Sequence, residues 1–271
     1  MGVLAAERIK LTSTRSPWWC SALIAVWALL LAVGFAFLLN FEMSEYNKQV
    51  ESGHVTMAEP PSADNAVAGL GFIGVPPFIP GFGYILVMIV AALAVTSEYR
   101  FGTIKASFLA VPNRAAVLAA KAGFIAVVMA VFSGLLTFLS FFILKALTKS
   151  DVGHDLSLSG DLRVFYGVPI FIALVVFLSV GLGALLRQSA AALSLLIVWP
   201  TLIEPIVSVF GKVGSNIRVF LPFQNASRFL GLSADDSAPW HWGQWGSLVY
   251  FTAFVVIVFA AALYVTNERD A

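Results

Sequence analysis

Three groups of residues in this chain have types and spacing that bear on chemistry. The densest is Ser97-Glu98-Tyr99-Arg100-Phe101-Gly102-Thr103-Ile104-Lys105-Ala106-Ser107-Phe108-Leu109-Ala110-Val111-Pro112-Asn113-Arg114, with Lys121 soon after. A few apolar residues rimmed by charge, as here, suit the docking of another protein rather than bond-making. Glu204 is a carboxylate in an otherwise apolar stretch, and ionisable groups in such stretches usually face a protein interior or a water-filled cavity. Ser133-Gly134 and Ser179 offer hydroxyls within apolar runs. A serine nucleophile needs a neighbouring base, and His54, His154 and His241 all lie between those runs. Small residues there serve close helix packing instead.

Other chemistries lack their residues. No Gly-x-x-x-x-Gly-Lys-Ser/Thr loop occurs to cradle ATP phosphates, and no His-Glu-x-x-His pair to hold zinc. Cys20 is the single cysteine, which excludes an intrachain disulfide and a cysteine-rich metal site. The net charge of +1 gives no nucleic-acid footprint.

The elements that position these residues follow from composition. Hydrophobic residues make up 59% of the 271 and charged residues 11%, too few charges to cover a water-soluble surface. A bilayer-crossing helix needs about 20 mainly apolar residues. Runs of that length lie at Trp18–Leu39, Phe78–Thr96, Ala115–Leu144, Val164–Leu186, Ala190–Phe210 and Ser247–Thr266. The reading is therefore an all-α integral membrane protein with six spans in one domain over residues 1–271. The first run exceeds a signal-peptide core and is read as a retained anchor. Pro200 and Pro205 are expected to bend or break the fifth span.

Six spans put both termini on one side. That side carries nine cations (Arg8, Lys10, Arg15, Arg100, Lys105, Arg114, Lys121, Arg187, Arg269) and four anions, while the other carries seven cations and ten anions. The basic side is expected to be cytoplasmic. Two loops on the acidic side are long: Asn40 to Pro77, acidic and then rich in Pro and Gly, and Gly211 to Gly246, with Trp240, Trp242 and Trp245. Those indoles suit an interfacial belt anchoring the last span.

The connector between spans two and three reads as a miniature helix between two breaks. Gly102 allows a bend, Thr103 caps a helix over Ile104–Ala110, Pro112 stops it, and Asn113 caps span three. Ile104 and Phe108 share one face and are expected to form an exposed apolar knob. Two uses fit such a helix: docking of another protein on a few apolar anchors, or packing in the headgroup layer.

Glu98-Tyr99-Arg100, Gly102-Thr103-Ile104, Pro112-Asn113-Arg114 and Lys121 together resemble the cytoplasmic segment of membrane subunits in the second (type-2) class of ABC exporters. The resemblance extends over nearly the whole chain. It implies that the connector is a coupling helix docking on a separate ATP-hydrolysing subunit, with Glu98, Arg100, Gly102, Thr103, Ile104, Phe108 and Arg114 at that interface or supporting it. It implies that residues 4–15, with Glu7, Arg8 and Lys10 among apolar residues, form an elbow helix along the inner membrane surface. The chain itself would be a non-catalytic permease with no cofactor. ATP and Mg would bind in two copies of the partner ATPase, and a second permease, identical or homologous, would complete the assembly. The expected location is a bacterial plasma membrane with both termini cytoplasmic.

Two further readings concern a translocation path. Glu204 is a candidate path residue; its position near Pro205 and seven residues before Gly211 leads us to expect a carboxylate that reaches water at the span boundary. Phe132, Phe138, Phe141, Phe142, Phe171 and Phe177 are expected to face lipid rather than a substrate path. The alternative function is a membrane scaffold or sensor without transport, whose connector binds a regulatory partner. No residue selects a cargo.

Overall fold

The computed structural model describes residues 15–53, 74–75, 79–80, 82–110, 113–149, 162–232 and 238–268. Within them, six helices are long and apolar enough to cross a bilayer. These are α1 (Arg15–Ser52), α2 (Phe82–Arg100), α4 (Arg114–Leu147), α5 (Leu162–Leu186), the fifth span and α10 (Gln244–Glu268). A short helix α3 (Thr103–Ala110) lies between α2 and α4. A two-residue antiparallel ladder pairs Gly74–Val75 with Ile79–Pro80. Of the expected elbow over residues 4–15, residues 4–14 lie outside the described part, and Arg15 begins α1.

Helix α5 occupies the middle of the bundle, packed on α4, α10 and α2, while α1 packs on α4 and α2. The contact is close because glycines sit where backbones meet. A Cβ on Gly181 would stand 3.3 Å from Phe259 Cα of α10, and one on Gly183 would stand 3.3 Å from the Ala92 carbonyl of α2. On α4, a Cβ on Gly134 would stand 3.2 Å from the Pro169 ring. Small residues that let helices approach are the expected packing device within a bilayer. Of the six phenylalanines assigned to lipid, Phe141 and Phe171 are instead buried in the core.

Helix α1 does not end at Asn40 but runs on to Ser52, 38 residues in all. The continuation, Phe41 to Ser52, contains no Gly or Pro and has good helix formers. The Asn40 amide does not disturb its own helix. It donates to the Leu147 carbonyl at 2.9 Å and accepts from the Lys149 amide at 2.8 Å, closing the C-terminus of α4.

The fifth span keeps going through both prolines. Helix α6 (Ser189–Val198) passes into a π-helical turn (Trp199–Ile203) and then into α7 (Glu204–Val209). The wider turn absorbs Pro200, which has no N–H to give to the ladder.

The expected Gly211 to Gly246 loop is the largest correction. It contains two helices, α8 (Gly211–Arg218) and α9 (Pro222–Leu230). Pro222 starts α9 with the fixed φ a first turn wants, and Gly231 ends it at φ 83°, a left-handed angle that favours glycine. The Gly231 amide donates to the Arg228 carbonyl and the Leu232 amide to the Ser227 carbonyl, the paired bonds of a Schellman ending.

Candidate functional site

The connector joins α2 to α4 at one end of the bundle. Helix α2 carries Ser97 to Arg100, so these four residues belong to the span rather than to a loop. The Phe101 amide donates to the Ser97 carbonyl, and Gly102 turns the chain at φ 68°. Helix α3 follows at once. Asn113 then caps α4 as its sequence position leads one to expect, its side-chain oxygen accepting from the Ala116 amide at 3.0 Å.

The charged residues of this segment divide into two sets. Glu98 is buried and accepts a 2.9 Å bond from Lys121 Nζ, itself buried on α4. This pair joins the end of span two to the beginning of span three. Arg100 and Arg114 lie nearer the surface, their guanidinium carbons 5.6 Å from the Phe101 and Phe108 ring centres respectively. Gly102 and Thr103 are exposed.

The apolar residues of the connector do not face as expected. Ile104 is only 5% exposed and Phe108 is half-buried, whereas Phe101 is 71% and Leu109 88% exposed. Helix α3 leans on α2 and α4, and Ile104 is on the buried side. Among the described residues of the connector the exposed apolar pair is therefore Phe101 and Leu109, with Arg100 beside Phe101.

The α5–α6 turn arrives at the same end. Arg187 adopts φ 53°, uncommon for a residue with a Cβ. Its guanidinium carbon lies 5.0 Å from the Tyr99 ring centre. Ser189 donates to the Thr96 hydroxyl at 3.0 Å. Ends of spans two, three, four and five thus meet around Glu98 and Tyr99. Lys121 was part of the connector pattern without a role of its own. A lysine seven residues inside a helix of apolar character was the signal that it needs a buried carboxylate.

At the opposite end Glu204 is fully buried, so its carboxylate does not reach water. Oε1 accepts from the Trp199 indole and from the Phe223 amide, each at 3.0 Å, and Oε2 accepts from the Gln224 amide at 2.9 Å. The fold brings the α9 N-terminus back to span five, so water is not required to solvate the charge.

Helix α9 lies inside this end. Phe223 is within aromatic contact distance of Tyr84 and Phe251, at 6.1 and 5.7 Å between ring centres. Asn225 is fully buried; its amide nitrogen donates to the Val219 and Leu221 carbonyls and its oxygen accepts from the Trp242 indole. Arg228 donates to the Trp242 carbonyl and lies 4.4 Å from the Trp240 ring centre. Trp240 and Trp242 thus hold α9, while Trp245 is exposed. Among the described residues no group of three His, Cys, Asp or Glu side chains gathers to hold a metal.

No family model matches the chain, and no curated protein or solved structure does either.

Proposed function

We propose that this chain is the membrane-spanning permease subunit of an ATP-driven exporter of the type-2 ABC class, coupled through the connector to a separate ATPase. The observation that carries the reading is the connector itself. A short helix between two spans and the turn before it present Leu109 and Phe101 outward, with Arg100 beside Phe101, while the helix's own support is buried. Compact apolar anchors with flanking charge make a protein docking site.

On this reading two ATPase subunits bind ATP and Mg, and their closure presses on α3. Helix α3 has little freedom to yield, because Ile104 is buried and Glu98 is paired with Lys121 behind it. The push would pass into α2 and α4 together and shift the bundle. A second permease, identical or homologous, would supply the other half of the path. Both termini and the connector would then lie in the cytoplasm of a bacterial cell. The resemblance of Glu98-Tyr99-Arg100, Gly102-Thr103-Ile104 and Pro112-Asn113-Arg114 to coupling segments is the second support.

The test is affinity purification of the full chain from its native membrane in mild detergent, followed by protein identification and an ATPase assay. A stoichiometric phosphate-loop ATPase, lost on Arg100→Glu, is the expected result. Reproducible isolation without an ATPase would overturn the permease reading in favour of a scaffold or sensor. Arg100 is a better position for charge reversal than Glu98, since reversing Glu98 would place two cations together in a buried site.

A further inference from the structure

We propose that Glu204 is a positioning residue, a latch holding span five against helix α9 at the end of the bundle opposite the connector, with the π-turn Trp199–Ile203 as its hinge. That this latch governs opening of a translocation path rests on the permease reading; the latch itself does not.

The N-terminus of α9 cannot cap itself. Its capping position is Leu221, which has no side-chain acceptor, and its first residue is Pro222, which has no amide hydrogen. The amides of Phe223 and Gln224 are the next donors, and an N-terminal turn has no intrahelical partner for them. They lie where Phe223 is buried among aromatic rings. Leaving such donors unpaired in a dry site is costly. A single carboxylate with two oxygens meets both, and Glu204 does so with one oxygen on each amide. The helix dipole adds attraction for a negative charge at this place.

The partners of this contact belong to different bodies. Helix α9 packs chiefly on α10, with further contact to α5. Asn225 and Arg228 fasten it to Trp242, just before α10. Span five packs instead on α2 and α5 through α6. Its far end meets the α9 N-terminus at Glu204, while α7 also packs on α8. The residue follows directly on the π-turn, and π-turns are places where a helix changes register or bends. The Trp199 indole spans that turn to the same carboxylate, so bending there changes the latch geometry.

The chemistry separates a latch from mere packing. Gln has nearly the shape of Glu but one acceptor oxygen, and its amide group would face an N–H with another N–H. If Glu204 only fills space, Glu204→Gln should behave like the wild type. If it is a latch, Gln should fail as Ala does.

The experiment measures the distance between spin labels at Ile206→Cys on α7 and Val249→Cys on α10, both exposed positions, in the full chain with Cys20→Ser. The Glu204 chain is expected to give one narrow distribution, and Glu204→Gln and Glu204→Ala an added longer population. Trp199→Phe, which removes a single donor to the carboxylate, should give a smaller share of that population and serves if the other variants fail to insert. Unchanged distributions in the variants that insert would overturn the latch. If an ATPase co-purifies, trapping the complex with ATP and vanadate should raise the longer population without any substitution. No response to trapping in an active complex would overturn the link to the path, and the absence of any ATPase would overturn the permease reading; the latch is decided by the variants alone.

Discussion

Lys121 Nζ donates to Glu98 Oε1 at 2.9 Å, and this bond joins the last turn of span two to span three from inside the protein. Buried ion pairs are poor stabilisers compared with well-packed apolar residues, but losing one partner leaves a charge stranded. Lys121→Met or Glu98→Leu alone should therefore destabilise the fold by about 3 kcal/mol. The double substitution Glu98→Leu, Lys121→Met should recover most of that loss. Thermal unfolding of the detergent-solubilised chain checks it; a double variant whose loss equals the sum of the two single losses would show that the pair has no mutual term.

The connector surface is expected to separate stability from binding. Phe101→Ser and Leu109→Ser alter exposed positions and should change stability by no more than about 0.5 kcal/mol. If they are docking anchors, each should weaken capture of the ATPase by about 2 kcal/mol, roughly 30-fold. Ile104→Ser should do the reverse of Phe101→Ser in folding, since it puts a hydroxyl at a buried site. Pull-down titration beside a melting curve for each variant distinguishes the two effects.

The bilayer made most of this architecture readable from the chain. Its thickness demands about 20 apolar residues per crossing, and all six such runs became helices. Gly102 and Asn113 also announced their turn and cap, because positive φ and an N-cap each call for particular residue types. What stayed hidden was set by contacts distant in sequence. Asn40 looks like a helix end, yet its amide serves the terminus of α4. Gln224, Asn225 and Arg228 make α9 look like a polar loop, although each side chain has a hydrogen-bond partner within the protein. Pro222 and Gly231 bracketed that helix and were its legible signal. Helical periodicity placed Ile104 and Phe108 on one face but does not say which face of so short a helix meets its neighbours. The backbone amides that Glu204 meets are 19 and 20 residues away, and only the return of α9 to span five brings them back.

Tyr99 tests a different balance. Its ring lies under Arg187 at 5.0 Å, while its hydroxyl is buried without a hydrogen-bond partner among the described residues. Tyr99→Phe keeps the ring and removes the unsatisfied group, so stability should stay level or rise by about 1 kcal/mol. Tyr99→Ala should lose the stacking and the packing together. Melting temperatures in the order Phe at or above Tyr, and Tyr well above Ala, are expected. A clear loss in Tyr99→Phe would mean that the hydroxyl has a partner in the working protein.

Gly181 and Gly183 hold span four between two backbones. Residues two apart on a helix point to nearly opposite sides, and here Gly181 meets Phe259 of α10 while Gly183 meets Ala92 and Thr96 of α2. Either single alanine adds a methyl group that α5 can accommodate by moving toward the other neighbour. Gly181→Ala and Gly183→Ala should each cost about 1 kcal/mol, the low end of overpacking. Together they remove both directions of relief. The double variant should then exceed the sum of the singles by at least about 0.5 kcal/mol, the size of coupling seen between residues sharing a backbone shift. A double-mutant cycle on unfolding measures that excess; strict additivity would mean that α5 relaxes by some movement other than sliding between α2 and α10.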